Sequence, residues 1–117
     1  MTDEQINKLE GLGVNLEETL ERFVDNEDLY MRCLNKLLDD KNYAGMHDAI
    51  NSNDATMAFD YAHALKGVSA NLGLDKLYSE MKVITEVFRA GSMNYDKENL
   101  SRLEAAYEEV ISTIKTL

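Results

Sequence analysis

The sequence predicts an all-α fold: an antiparallel four-helix bundle with short additional helices at the N-terminus. Three observations carry this. The 117 residues contain no proline and only 6 glycines, too few turn-formers for a β protein of this size. Apolar residues recur at three-and-four spacing along most of the chain, the period of a helix with one buried face. The segments between these stripes are short and polar, as helix-to-helix connections in a bundle are. The length suits a single domain over residues 1–117, with residues 1–25 as cap helices and 26–117 as the bundle.

Each element has a local reason. Thr2 is an N-cap for a helix through Leu9, with Gln5 at the capping-box position. Gly11-Leu12-Gly13 breaks it. Asn15 caps the next helix, Leu16 to Val24, with Leu16, Leu20 and Phe23 on one side. Asn26 caps a third, running to about Leu38, whose apolar stripe is Leu29, Tyr30, Cys33, Leu34, Leu37 and Leu38. Asp39-Asp40-Lys41-Asn42 is a polar turn. A shorter helix, about Tyr43 to Ile50, turns Met46 and Ile50 inward. Asn51-Ser52-Asn53-Asp54 is a second turn with capping chemistry. A helix from about Ala55 to Leu72 follows and ends at Gly73, a residue suited to the left-handed position after a last turn. The next runs to about Ala90 with Leu74, Leu77, Met81, Ile84 and Phe88 inward, and Gly91-Ser92 ends it. The last spans about Tyr95 to Ile114 on Leu100, Leu103, Tyr107, Val110 and Ile114. The bundle is expected to use the helices starting near Asn26, Ala55, Leu74 and Tyr95, packed at shallow angles.

Composition narrows the function. With 12 basic and 22 acidic residues the net charge is −10. That argues against nucleic acid, whose binders displace counterions with a basic patch, and against an anionic membrane surface. No apolar run approaches the length of a membrane span, and the acidic Met1-Thr2-Asp3-Glu4 start lacks the layout of a secretion signal. The one cysteine, Cys33, is expected in the core of a reduced, cytoplasmic protein. A monomeric, stand-alone chain is the expectation.

The informative stretch is Tyr61 to Gly73. Ala58, Ala62, Leu65, Ser69 and Leu72 form the buried stripe of its helix. On a wheel at 100° per residue His63 points the other way, among Thr56, Phe59, Asp60, Lys66, Gly67 and Ala70. Gly67 stands one turn after His63 in a helix interior, where glycine costs roughly 1 kcal/mol relative to alanine. Close approach by another molecule is one reason to keep it there. Lys66, at i+3, is within reach of anything attached to the imidazole. An exposed histidine with a cation beside it and no Cβ above it suits carriage of a phosphoryl group. Imidazole is nucleophilic when neutral and titrates near neutrality.

His63-Ala64-Leu65-Lys66-Gly67, followed by Asn71-Leu72-Gly73, closely resembles the HxLKG…NLG core of histidine phosphotransfer (HPt) domains. Leu20-Glu21-Arg22-Phe23 and Glu27-Asp28-Leu29-Tyr30 are similar to the entry region of bacterial members. The resemblance implies that Nε2 of His63 accepts a phosphoryl group from the aspartate of a response-regulator receiver domain and passes it to another. A hybrid sensor histidine kinase is a further implied partner. Lys66 then stabilises phosphoryl charge and Gly67 leaves room for the receiver. Phe59 and Ala70 flank His63 as an apolar docking rim, with packing against a neighbouring helix the alternative for Phe59. Asn71 is read either as a helix-end hydrogen-bonding residue or as a phosphate contact. Ser69 is read as a small packing residue bonded to its own backbone.

On the following helix, Tyr78, Lys82, Thr85 and Arg89 share a flank. HPt relatives often carry a glutamine or other polar residue there to bond the imidazole, and Thr85 is the candidate, with a bridging water making up its shorter reach. No cofactor is expected in the chain itself. Mg²⁺ would be supplied by the receiver, and no Gly-rich phosphate loop suggests ATP binding or autokinase activity. His47 is read as structural or solvent-exposed.

Two other functions compete. A metal-binding bundle would use Asp60-x-x-His63, but bundle di-metal sites need Glu-x-x-His motifs facing inward. A purely interacting helical module would keep the fold without the chemistry. The resemblance also admits an HPt-like domain of a larger sensor or chemotaxis kinase.

Overall fold

The computed structural model describes residues 1–117 and consists of seven α-helices and one 3₁₀ turn. The helices are α1 (Asp3–Gly11), α2 (Leu16–Glu21), α3 (Glu27–Lys36), α4 (Asn42–Asn51), α5 (Ala55–Asn71), α6 (Asp75–Arg89) and α7 (Lys97–Thr116), with the 3₁₀ turn at Leu37–Asp39. The N-caps act as the sequence suggests. Thr2 and Gln5 form a reciprocal capping box, and the Asn15, Asn26 and Asp54 side chains accept from the backbone N–H groups of Glu18, Leu29 and Met57.

The bundle has four arms. The first is broken: α3, the 3₁₀ turn and α4 together run antiparallel to α5. Tyr30, early in α3, donates its hydroxyl to the carbonyl of Leu72 just past α5 at 2.8 Å. Gly45 in α4 lies so close to Tyr61 of α5 that a Cβ there would come within 2.5–2.7 Å of its ring. The break falls at Asp40, whose extended backbone leaves the helix and whose carboxylate accepts from the Asn42 N–H at 2.8 Å, restarting it as α4. Thus the segment expected as a separate short helix completes the first arm.

Gly73 turns α5 into α6. Its φ of +72° is one that L side chains rarely adopt, and a Cβ there would collide with the Thr19 hydroxyl of α2. In the α5–α6 pair, Arg89 lies over Phe59, while Tyr78 and Ala70 line one shallow recess. That antiparallel register sets Thr85 level with His63 and Lys82 level with Lys66. Across α6 and α7, Arg102 pairs with Glu80, with its Nε 2.8 Å from the nearer carboxylate oxygen. The bundle closes where α4 meets α7: Tyr43 stacks on Tyr107 with ring centroids 3.7 Å apart and planes 3° from parallel. Helix α1 covers one end, with Gln5 and Lys8 donating to the backbone carbonyls of Leu117 and Thr116.

The core is the expected stripe set, with Tyr30, Leu34, Leu37, Met46, Leu65, Leu77, Met81, Ile84, Phe88 and Leu103 essentially inaccessible. Four expectations need correction. Helix α2 stops at Glu21 rather than Val24: the chain turns through Val24 and Asp25, both at positive φ, so that Phe23 can reach the core and pack edge-on to Tyr30 at 5.2 Å. Leu29 and Leu38 belong to the expected stripe but are exposed. Leu29 is in the first turn of α3, and the 3₁₀ geometry at Leu38 rotates its side chain off the α-helical face. Cys33 is only half-buried, at the edge of α3 rather than in the core. The last helix begins at Lys97, two residues after the expected start near Tyr95, with Asp96 as its N-cap.

Candidate functional site

Helix α5 is positioned by its buried side. Ala58, Ala62, Leu65 and Ser69 face the core, and the Ser69 hydroxyl donates to the Leu65 carbonyl at 2.8 Å, satisfying itself within the helix. The small Ala58 and Ala62 let neighbouring helices come close. What remains outward is His63, with Asp60, Ala64, Gly67, Ala70 and Asn71 also exposed along the helix. The imidazole therefore stands in the middle of a face otherwise built largely of small side chains.

The two histidines differ in one decisive respect. His47 has both ring nitrogens engaged: Nδ1 lies 2.9 Å from the Tyr43 carbonyl oxygen and Nε2 lies 3.0 Å from Glu104 Oε2. This ring ties α4 to α7. Neither nitrogen of His63 has a protein hydrogen-bond partner, so both are open to another molecule. Over Gly67, one turn on, an added Cβ would meet nothing within 4 Å. The space beside the imidazole is clear on that side.

Lys66 is half-buried and makes no ion pair within the chain. Its ammonium is thus uncommitted, on the helix that carries His63. Phe59 is half-buried and stacks on His63, with ring centroids 5.3 Å apart and planes 19° from parallel. The Arg89 guanidinium carbon lies 4.7 Å from the Phe59 ring centroid. Ala70 and Asn71 are exposed, and the Asn71 side chain bonds to no protein group. It is the Asn71 backbone carbonyl that is held, by Arg22.

Thr85 does not act as expected. It is level with His63 but fully buried, and its hydroxyl donates to the Met81 carbonyl at 2.6 Å. Helix α6 packs against both α5 and α7, so its buried arc is wide enough to take in Thr85. A hydroxyl shut away from water then bonds its own helix. Two residues near the site have contacts that the sequence does not signal. Arg89 lies on the same α6 flank as Tyr78, Lys82 and Thr85, but its contact with Phe59 depends on the α5–α6 register. Arg22 donates Nη2 to the carbonyls of Ala70 (3.0 Å) and Asn71 (3.2 Å), across nearly fifty residues of sequence that offer no local signal of the pairing. No group of three or more His, Cys, Asp or Glu side chains is arranged to hold a metal ion.

The outward imidazole, with no protein partner on either nitrogen, thus shares its helix with an open glycine and an unpaired lysine. The Hpt domain family model matches residues 18–113. The chain belongs to the Hpt domain family. Its members serve histidine phosphotransfer in phosphorelays and interact with receiver domains of response regulators. The match runs from within α2 to near the end of α7 and so takes in α3 to α6 and His63. Comparison with curated proteins finds no match, and comparison with solved structures finds none. No helix is long and apolar enough to cross a membrane.

Proposed function

We propose that His63 is the phosphoacceptor of this Hpt domain. The observation that carries this reading is the imidazole itself: exposed, at mid-helix, with both nitrogens unengaged and open space above Gly67. In the neutral tautomer with the proton on Nδ1, Nε2 carries the lone pair. That pair attacks the phosphorus of a receiver aspartyl phosphate. The P–N bond forms as the bond from phosphorus to the carboxylate oxygen breaks, and the carboxylate leaves with its electron pair. Reversal onto a second receiver regenerates the imidazole. Lys66 offers a cation to the phosphoryl oxygens as charge redistributes. Mg²⁺ supplied by the receiver would neutralise phosphate charge there.

The chain's partners in this reading are receiver domains, with a hybrid sensor kinase upstream and the exchange taking place in the cytoplasm. Its own part is to present the nucleophile, leave room for docking and hold the phosphoryl group between partners. It is a phosphocarrier without a nucleotide site.

Incubation with a receiver charged by a small phosphodonor tests the assignment. The phosphate transferred should be acid-labile and alkali-stable, and His63→Gln should abolish uptake while keeping its helicity. Labelling that persists in His63→Gln would remove His63 from the role.

A further inference from the structure

An exposed imidazole ordinarily exchanges among several χ1 rotamers and a broad range of χ2. Transfer to phosphorus in line with a leaving group needs one orientation, and the relevant nitrogen must be held near it. A hydrogen bond to the ring is the usual restraint, and here it is missing. Thr85, level with His63, gives its hydroxyl to Met81, and no other protein group bonds either nitrogen.

What touches the ring is Phe59. It lies one helical turn before His63, where side chains on α5 meet. Its plane is 19° from that of the imidazole, at 5.3 Å between centroids, an offset stack. Phe59 is pinned in turn. The Arg89 guanidinium sits over it at 4.7 Å, and the Arg89 Nε donates to the Glu86 carboxylate at 3.1 and 3.2 Å. A chain of contacts thus runs from Glu86 through Arg89 and Phe59 to the imidazole, joining α6 to the nucleophile without a hydrogen bond to it.

We infer that Phe59 is a positioning residue for His63: its stacked ring, clamped by Arg89, holds the imidazole plane so that a nitrogen faces the incoming phosphoryl group. This rests on His63 being the phosphoacceptor and gives Phe59 a different task from docking. Stacking suits an exposed site. It restrains the ring's plane while leaving both nitrogens free for proton and phosphoryl exchange.

The test separates positioning from docking and from packing. Phe59→Leu keeps apolar bulk and removes the flat face, whereas Phe59→Tyr keeps the ring. In wild type, NMR should show the His63 carbon-bound ring protons displaced by the ring current of Phe59, a signal read without any donor present. Phe59→Leu should abolish that displacement. Its maximal rate of phosphoryl uptake from a charged receiver should fall by about tenfold, with the half-saturating receiver concentration unchanged. Phe59→Tyr should restore both. Arg89→Met, at an exposed position that does not threaten folding, should leave a reduced displacement and a smaller fall in rate.

If Phe59→Leu transfers at the wild-type rate, or only its half-saturating concentration changes, Phe59 packs or docks and does not position. Absence of the ring-current displacement in wild type equally overturns the inference. A wild-type chain that takes up no phosphate at all fails at the earlier step, the assignment of His63.

Discussion

Arg22 holds the carbonyl oxygen of Asn71 with two donors, Nε at 3.3 Å and Nη2 at 3.2 Å. The last carbonyls of a helix have no partner within it and carry the negative end of its dipole. By covering those of Ala70 and Asn71, Arg22 caps the helix that presents His63 and fastens the α2 turn to its end. Arg22→Ala should lower stability by about 1 kcal/mol, since the pair is exposed and water can replace part of it. The denaturation midpoint reports it. Arg22→Lys should recover only part, because an ammonium cannot reproduce the two-nitrogen grip. An Arg22→Ala midpoint equal to wild type would show the grip to be energetically idle.

Gly67 separates stability from function. Its site is a helix interior where an added Cβ meets nothing within 4 Å, so a straight-chain residue there improves helix propensity and starts into open space. Gly67→Gln should be as stable as wild type or more so, by up to about 1 kcal/mol. It should take up phosphate poorly, because the side chain fills the approach beside His63. Thermal unfolding and transfer kinetics on the same sample check both. Unimpaired transfer would show that receivers do not need that space.

What was readable in the sequence was what is settled within one or two helical turns. Thr2 with Gln5, Asn15 and Asn26 announce their caps because the donors they satisfy lie three residues away. The outward direction of His63 follows from the apolar stripe behind it. What depends on how two helices meet was not readable. Thr85 lies at the border of the α6 stripe, and packing against α7 as well as α5 takes it inside. Leu29 and Leu38 obey the period but stand where the first arm begins and where it loses α-helical geometry. The Phe59–His63 spacing is visible in the chain, whereas Arg89 reaches Phe59 only through the antiparallel register.

The tyrosines set an upper pH limit. Burial first, then the nearby Glu104, Glu108 and Tyr107, pushes Tyr43 up to about 12 from an ordinary 10.0. Burial, with Asp40, raises Tyr107, and burial raises Tyr30 well beyond the usual range despite the opposing charge of Arg22. Below about pH 10 these phenols are neutral in both the folded and unfolded chain, and their contribution to stability is fully present. Above it the unfolded chain loses protons that the folded chain keeps, so unfolding becomes easier as pH rises. Stability should decline from about pH 10 and continue falling through about pH 12. Tyrosinate absorbance should show three of the six tyrosines ionising late and together with loss of helicity. Early ionisation of all six with helicity intact would contradict the burial of Tyr30, Tyr43 and Tyr107.

Of the three non-glycine residues at positive φ, Val24, Asp25 and Asn53, only Val24 is β-branched. It has φ +54° and is followed by Asp25 at +56°, and its side chain is 87% exposed. A β-branched residue in the left-handed region crowds its own carbonyl at roughly 1–2 kcal/mol, and an exposed side chain recovers little of that through contacts. The turn holds because Phe23 before it is buried against Tyr30 and Arg22 is fastened to α5. Val24→Gly removes the crowding but gives the unfolded chain more freedom, which offsets about 0.5–1 kcal/mol. The net expectation is a gain of about 0.5 kcal/mol or more, read as a higher urea midpoint at unchanged slope. Asp25→Gly should gain less, because a short polar side chain tolerates this conformation better than valine does. If Val24→Gly instead lowers the midpoint, Val24 makes a stabilising contribution that outweighs its strain, and the turn is not held against a cost.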